Sequence, residues 1–228
     1  MADTHRHELK YWIAARDVPA LSARLEGALT RDAHAGERGE YAVRSLYFDD
    51  AFNSAYTDKL AGVAARDKYR VRVYDGDDSA IFLERKRKMG DLIGKSAVKI
   101  TRRLLSRLID GDPAGLEKLN NALIKDTFRE MRLRLLRPAV IVEYDREAFC
   151  HPAEHVRITI DKNVCSGLSN LDLFDKDLLC VPAIETGRAV LEVKYDRYLP
   201  DFIAPLLSGV PAERSAVSKY VLCRRFAL

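Results

Sequence analysis

A chain of 228 residues, 47% hydrophobic and 32% charged, can bury a sizeable core within one domain. Its formal net charge of only +4 means that acids and bases are mixed. That argues against a simple basic nucleic-acid-binding arm and suits a basic cavity inside a nearly neutral shell. No apolar run approaches the roughly 20 residues needed to cross a bilayer, and no apolar segment follows a basic start, so a cytoplasmic location is expected. Four cysteines, Cys150, Cys165, Cys180 and Cys223, form no Cys-x-x-Cys pair and no zinc spacing, and read as buried free thiols.

In chain order, residues 6–13 read as a strand with Arg6, Glu8 and Lys10 on one face. Asp17 is placed to cap a helix with Pro19 in its first turn, running through Leu21, Leu25 and Leu29 to about Thr30. A loop over 34–39 precedes a strand at 43–49 and a short helix containing Tyr56 and Leu60. Residues 67–74 and 81–88 form an antiparallel hairpin about the turn signal Asp75-Gly76-Asp77-Asp78. In it Arg70 and Arg72 oppose Tyr69, Val71 and Val73, while Glu84, Lys86 and Lys88 oppose Leu83, Arg85 and Arg87. A turn at 90–94 leads to a strand at 95–100, with Lys95 and Lys99 on one face.

The period becomes helical over 101–137, broken at Gly111-Asp112-Pro113 and stopped by Pro138. Strands resume at 140–146, where Glu143 stands among apolar neighbours, and at 156–161, where Arg157, Thr159 and Asp161 oppose three aliphatics. Residues 163–182 read as a loop with a short strand. Glu192 and Lys194 share a face of the strand at 190–195. A short helix over 200–207 and a C-terminal helix over 215–228, capped at Ser215 or Ser218, complete the chain. With no repeat, low-complexity tract or linker, one domain over 1–228 is expected.

One hairpin with a charged face is explained by a sheet with one wet side. Several strands, scattered along the chain and each carrying acids and bases at period two, call for a common cause. A sheet closed on itself gathers these faces into one lumen lined by Lys, Arg and Glu, which suggests a tunnel for a polyanion.

The segments Arg6-His7-Glu8-Leu9-Lys10-Tyr11, Ser45-Leu46-Tyr47-Phe48-Asp49, Lys68-Tyr69-Arg70-Val71-Arg72, Leu83-Glu84-Arg85-Lys86, Glu143-Tyr144-Asp145-Arg146, Leu191-Glu192-Val193-Lys194-Tyr195 and Ser218-Lys219-Tyr220 occur in the order found in the VTC domain. That domain is the polyphosphate polymerase module of the vacuolar transporter chaperone complex, with stand-alone bacterial relatives. The resemblance runs from Arg6 to Tyr220 and implies an α+β triphosphate tunnel metalloenzyme fold. The expected architecture is a closed antiparallel eight-stranded barrel with flanking helices and the C-terminal helix at one tunnel mouth. Arg6 stands where the wider superfamily's Glu-x-Glu-x-Lys signature has its first Glu, which favours the polymerase-like branch.

The resemblance implies that Lys10, Arg70, Arg72, Lys86, Arg146, Arg157 and Lys219 bind phosphate and act in catalysis, and that Glu192 binds metal. A triphosphate carries about four negative charges, and guanidinium groups meet it with bidentate geometry and a charge they do not lose. Lys95 and Lys194 join the substrate-binding set. Carboxylates in such a site repel phosphate unless they hold a cation, so Glu8, Glu84 and Glu143 join Glu192 as candidate ligands of Mg2+ or Mn2+. Glu8 and Glu84 have the alternative of pairing with cations across strands. Lys88, Lys99, Arg85 and Arg87 read as solvated or rim residues, and His5 and His7 as surface. Arg146 departs from the parity set by Glu143 and reaches the lumen only through a bulge.

The expected activity is transfer of the γ-phosphoryl of ATP to a phosphate or polyphosphate acceptor. Tripolyphosphate hydrolysis at the same site, or polyphosphate or inositol phosphate sensing without turnover, are the alternatives. Expected partners are a nucleoside triphosphate, triphosphate or polyphosphate, and no nucleic acid. A membrane partner is left open.

Overall fold

A computed structural model describes residues 6–90, 92–112 and 114–228. His5, Asp91 and Pro113, which figured in the sequence reading, lie outside the described residues. The strands are β1 (His7–Ala14), β2 (Thr30–Arg31), β3 (Tyr41–Asp49), β4 (Ala65–Tyr74), β5 (Asp77–Met89), β6 (Leu92–Ile100), β7 (Arg137–His151), β8 (Val156–Ser166), β9 (Val181–Pro182), β10 (Arg188–Tyr195) and β11 (Glu213–Arg214). The helices are α1 (Val18–Glu26), α2 (Ser54–Leu60), α3 (Arg102–Ile109), α4 (Ala122–Leu133), α5 (Ile203–Leu207) and α6 (Lys219–Arg224).

Local chemistry accounts for several junctions. Asp75 and Gly76 join β4 to β5 with φ of 51° and 68°, the left-handed pair that a two-residue hairpin requires and that Asp-Gly accommodates at low cost. The helical run is stopped before Pro138: α4 ends at Leu133, Leu135 is left-handed at φ 55°, and Pro138 already lies in β7. Lacking an N–H, it sits where the β3–β7 register shifts between Tyr47 and Phe48, a bulge that tolerates the missing donor. Ser218 caps α6 by accepting from the Val221 amide.

The strands form one antiparallel sheet in the order β11-β1-β10-β8-β7-β3-β4-β5-β6, with β2 on β7 and β9 on β8. This corrects the expected closed barrel. Among the described residues no backbone ladder joins β6 to β1, so the sheet is strongly curved but open. The reason is local: the outer edge of β1 is already used by the C-terminal segment, with Tyr11 and Trp12 opposite Arg214 and Glu213 and the Ser215 amide donating to the Lys10 carbonyl at 2.9 Å. Side chains bridge the seam instead, Lys86 of β5 reaching Glu8 of β1 at 2.5 Å.

Alternation then sorts the two faces. On the convex side α3 and α4 bury Leu105, Leu108, Leu123, Ile124 and Met131 against Leu46, Val71, Val73, Ile81 and Leu83. Further round, Val18, Leu21 and Leu25 of α1 and Ile203 of α5 pack on Phe149, Ile158, Leu191 and Val193. A third cluster seats Tyr220 and Cys223 of α6 against Val43, Tyr47, Val140, Val142 and Tyr144, which puts the C-terminal helix over the concave face. Each layer buries large aliphatics at about 25 cal/mol per Å²; the rest of the concave face is left for charge. No helix is long and apolar enough to cross a membrane among the described residues.

Candidate functional site

The concave face encloses a cavity of about 600 Å³ whose walls carry, among the described residues, eleven Lys and Arg side chains and two acidic ones, Glu8 and Glu192. Even-numbered residues of β1, β4, β5, β7 and β10 deliver Lys10, Lys68, Arg70, Arg72, Lys86, Arg146 and Lys194, while odd-numbered residues of β6 and β8 deliver Lys95 and Arg157. Lys219 enters from the first turn of α6, and Arg6 from the residue before β1.

Each interior cation is positioned by a partner behind it. Asp161, fully buried, accepts from Arg146 through Nε at 2.6 Å and NH2 at 2.8 Å, and its Oδ2 lies 2.5 Å from Lys219 Nζ. Glu84 accepts from Arg70 Nε at 2.7 Å and pairs with Lys95 at 2.5 Å. Arg70 also donates to the Tyr47 hydroxyl at 2.9 Å, and Arg72 to Ser45 and to the Tyr144 hydroxyl, each at 3.0 Å. Arg157 is held by Asp32 at 2.5 Å and by the Tyr41 hydroxyl at 3.0 Å. Arg72 and Arg146 keep NH1 without a hydrogen-bond partner among the described residues, an edge available to an anion.

Glu192 is the hub on the β1–β10 side. Its Oε1 meets Lys219 at 2.9 Å and Lys10 at 3.3 Å, and its Oε2 meets Lys194 at 2.9 Å. Burial alone would raise its pKa, but Lys10, Lys194 and Lys219 reverse this and hold it well below the usual carboxylate range. Glu8 shares Lys194 at 3.4 Å and adds Lys86 at 2.5 Å, and is likewise depressed against its burial. Three lumen lysines, Lys86, Lys68 and Lys95, go the other way, each first through desolvation. Desolvation, with Lys10 and Lys194 nearby, outweighs Glu8 and brings Lys86 down to about 8. Lys68 falls well below its ordinary value through desolvation and then the neighbouring cations; its ammonium donates to Ser218 at 3.0 Å.

The structure thus brings together Lys10, Arg70, Arg72, Lys86, Lys95, Arg146, Arg157, Lys194, Lys219, Glu8 and Glu192. Glu84 lies just behind them, with both oxygens engaged by Arg70 and Lys95, which is the cross-strand pairing alternative. Glu143 is not among them: it faces the convex side, paired with Arg44. Arg146 therefore enters the lumen by simple alternation from Tyr144, and the expected bulge on β7 is not what places it. The bulge is on β8, where Asn163 is left-handed at φ 53° and the β7–β8 register shifts. Arg87 pairs with Asp67 and Arg85 with Asp126, away from the lumen. Sequence reasoning missed Lys68, Asp161 and the tyrosines. Lys68 had a signal, since it shares parity with Arg70 and Arg72, and Asp161 shares parity with Arg157. The tyrosines had none in the charge pattern.

The donor set bears on a hard divalent cation. Mg2+ is commonly held by one or two carboxylates with the remaining ligands from phosphate and water, and Glu8 and Glu192 are two cavity-facing carboxylates that share Lys10 and Lys194. Directly across from Glu192 on β8, Thr159 is fully buried with its Oγ1 unpartnered. Glu192 and Glu8, both paired with lysines here, are the cavity-facing carboxylates that would hold such a cation.

Solved structures with this fold include a putative adenylyl cyclase from Hippeastrum, described as having a dominant triphosphatase activity (TM-score 0.56, 15% identity, covering 98% of this chain and 97% of that one). A putative adenylate cyclase from Bacillus halodurans (TM-score 0.52, 11% identity, 90% and 87%) and a protein from Pyrococcus horikoshii (TM-score 0.51, 12% identity, 95% and 98%) are also similar. The fold is shared with these putative adenylyl cyclases. A match to the VTC domain extends over residues 5–227. The chain belongs to the VTC domain family.

Proposed function

We propose that this protein is a metal-dependent polyphosphate polymerase, transferring the γ-phosphoryl of ATP to a phosphate or polyphosphate acceptor in the concave cavity. The observation that carries the reading is a lumen whose cations outnumber its acids and are held in place before any anion arrives. Preorganised charge of this kind stabilises a transferring phosphoryl group without reorganisation at the moment of reaction. Arg70, Arg72 and Arg146 bind and orient the triphosphate, with Lys10, Lys95, Lys194 and Lys219 completing the charge. No Ser, Cys or His nucleophile is required, because an acceptor phosphate oxygen attacks directly. A divalent cation held by Glu192 and Glu8, Mg2+ or Mn2+, would supply charge neutralisation at the phosphate oxygens.

One feature supports polymerisation over hydrolysis. The lumen continues, across Glu8, Lys10, Lys68, Lys86, Ile93 and Ser218, into a second cavity of about 410 Å³ that adds Lys59, Arg66, Lys88 and Arg214. This second basic chamber lies on the open seam between β1 and the β4–β6 hairpins. A lengthening polyanion needs such a path, and its basic lining suits one.

The test is incubation of the purified protein with ATP and Mn2+, products being resolved by chain length on a gel, beside Glu192→Ala and Arg70→Ala. Long phosphate chains that vanish in both variants are expected. Orthophosphate without chain growth would replace the polymerase by a triphosphatase, and nucleotide binding without turnover would leave a sensor.

A further inference from the structure

Glu143 and Cys165 are cross-strand partners on β7 and β8, and Cys180 directly precedes β9, whose Val181 pairs with Ser166. One ligand atom from each, a carboxylate oxygen and two thiol sulfurs, lie within 4.8 Å of one another. All three residues are only partly exposed, so the pocket is formed yet reachable. The β8 bulge at Asn163 sets this up, because it resets the alternation and turns Cys165 to the same side as Glu143.

We propose that Glu143, Cys165 and Cys180 form a binding site for a thiophilic divalent metal, Zn2+ by its chemistry, on the convex side of the sheet and separate from the phosphate lumen. Two thiolates and a carboxylate are a donor set for Zn2+, which takes sulfur and oxygen in tetrahedral geometry, and not for Mg2+. With Zn–S bonds of about 2.3 Å the ligand sulfurs of a tetrahedral site stand about 3.8 Å apart, so the observed cluster needs only small side-chain adjustments to close. Arg44 engages Glu143 through Oε2 and is itself anchored on the Leu173 and Asp175 carbonyls. This outer partner fixes the carboxylate and leaves Oε1 unpartnered among the described residues. Three protein ligands leave the fourth position to water. Binding releases the thiol protons to solvent as the thiolates form.

The site joins β7, β8 and the segment before β9, and α6 is tied to the same end of β8 from the concave side: Ser166 donates to the Cys223 carbonyl at 3.0 Å, and the Cys223 thiol contacts the Cys165 carbonyl at 3.4 Å. A metal there braces the floor on which α6, the carrier of Lys219, is seated. Cys223 is fully buried and Cys150 lies beside Arg157, so neither is placed to ligate, and Cys150 is the natural control.

The reduced, metal-free full chain is titrated with Co2+ and followed by absorption. A thiolate-to-cobalt charge-transfer band saturating at one equivalent and bleached by Zn2+ is expected, absent in Cys165→Ser and Cys180→Ser and kept in Cys150→Ser. Glu143→Gln weakens binding by at least the roughly 10-fold that an outer partner alone is worth. A second measurement needs no variant: in the wild type Zn2+ protects Cys165 and Cys180, but not Cys150, from alkylation mapped by mass spectrometry. No thiolate band, or protection that does not single out these two cysteines, overturns the proposal.

Discussion

The Lys219 ammonium lies 2.5 Å from a carboxylate oxygen of Asp161, a residue with no exposed surface. The same ammonium also meets Glu192 at 2.9 Å, so a single turn of α6 supplies the charge that two buried acids of the sheet require. Removing one partner of a buried ion pair leaves the other uncompensated, at a cost of about 3–5 kcal/mol. Lys219→Met is expected to lose stability on that scale in urea unfolding followed by circular dichroism.

The same pair governs acid sensitivity. Asp161 and Glu192 have folded pKa values below their unfolded values of 3.8 and 4.5. Their contribution is therefore present above the unfolded values and is lost as pH falls through the folded ones. In Lys219→Met the depression shrinks, so the loss begins at a higher pH than in the wild type. Coincident acid-unfolding curves for the two proteins would contradict this assignment.

Glu192 separates binding from turnover. A cavity-facing acid paired with Lys10, Lys194 and Lys219, it opposes phosphate by its own charge, and in the proposed reaction it favours phosphate by holding a metal. Glu192→Gln is expected to keep or tighten metal-free triphosphate binding by calorimetry while losing Mn2+-dependent turnover by about 100-fold or more, the order set by removal of one electrostatic stabiliser. Weaker metal-free binding together with normal turnover would rule out the metal-holding role.

Lys86 and Lys68 predict proton uptake. Desolvation brings Lys86 down to about 8, so part of its charge is missing at mildly alkaline pH, and Lys68 is shifted in the same direction. An arriving polyanion favours the charged form and raises both. Triphosphate binding at pH 8, measured in buffers of different ionisation enthalpy, is expected to take up protons. The affinity falls as pH rises through 8, and Lys86→Arg, which stays charged, flattens that fall.

The convex face and the order of elements were legible because aliphatics at period two or 3.6 announce themselves: Val71, Val73 and Leu83 lie under α3 and α4 as their spacing requires. The cations were legible for the same reason, since one inward residue on a strand fixes every second neighbour. Closure was not legible. Whether β1 pairs with β6 depends on the C-terminal segment at Glu213–Arg214, two residues with no strand period of their own. Glu143 misled because an acid among apolar neighbours looks buried in charge, while its partner, Arg44, is fixed only by the β3–β7 register. The Cys165–Cys180 pair escaped because its neighbours come from the β8–β9 ladder, not from spacing.

The seam chamber makes the last prediction. Arg66 and Lys88 line the second cavity but not the first, and they are register partners on β4 and β5. They cannot touch a triphosphate seated at Arg70 and Arg146, and they meet a chain only once it has grown past Lys68 and Lys86. Arg66→Glu with Lys88→Glu places two negative charges on that path. Initial phosphoryl transfer to a short acceptor is then expected to change by less than about twofold, because charges contribute little across a screened distance. The product distribution on a gel shifts to shorter chains, and added salt partly restores length by the same screening. An unchanged distribution with intact turnover would mean that the product leaves by another route.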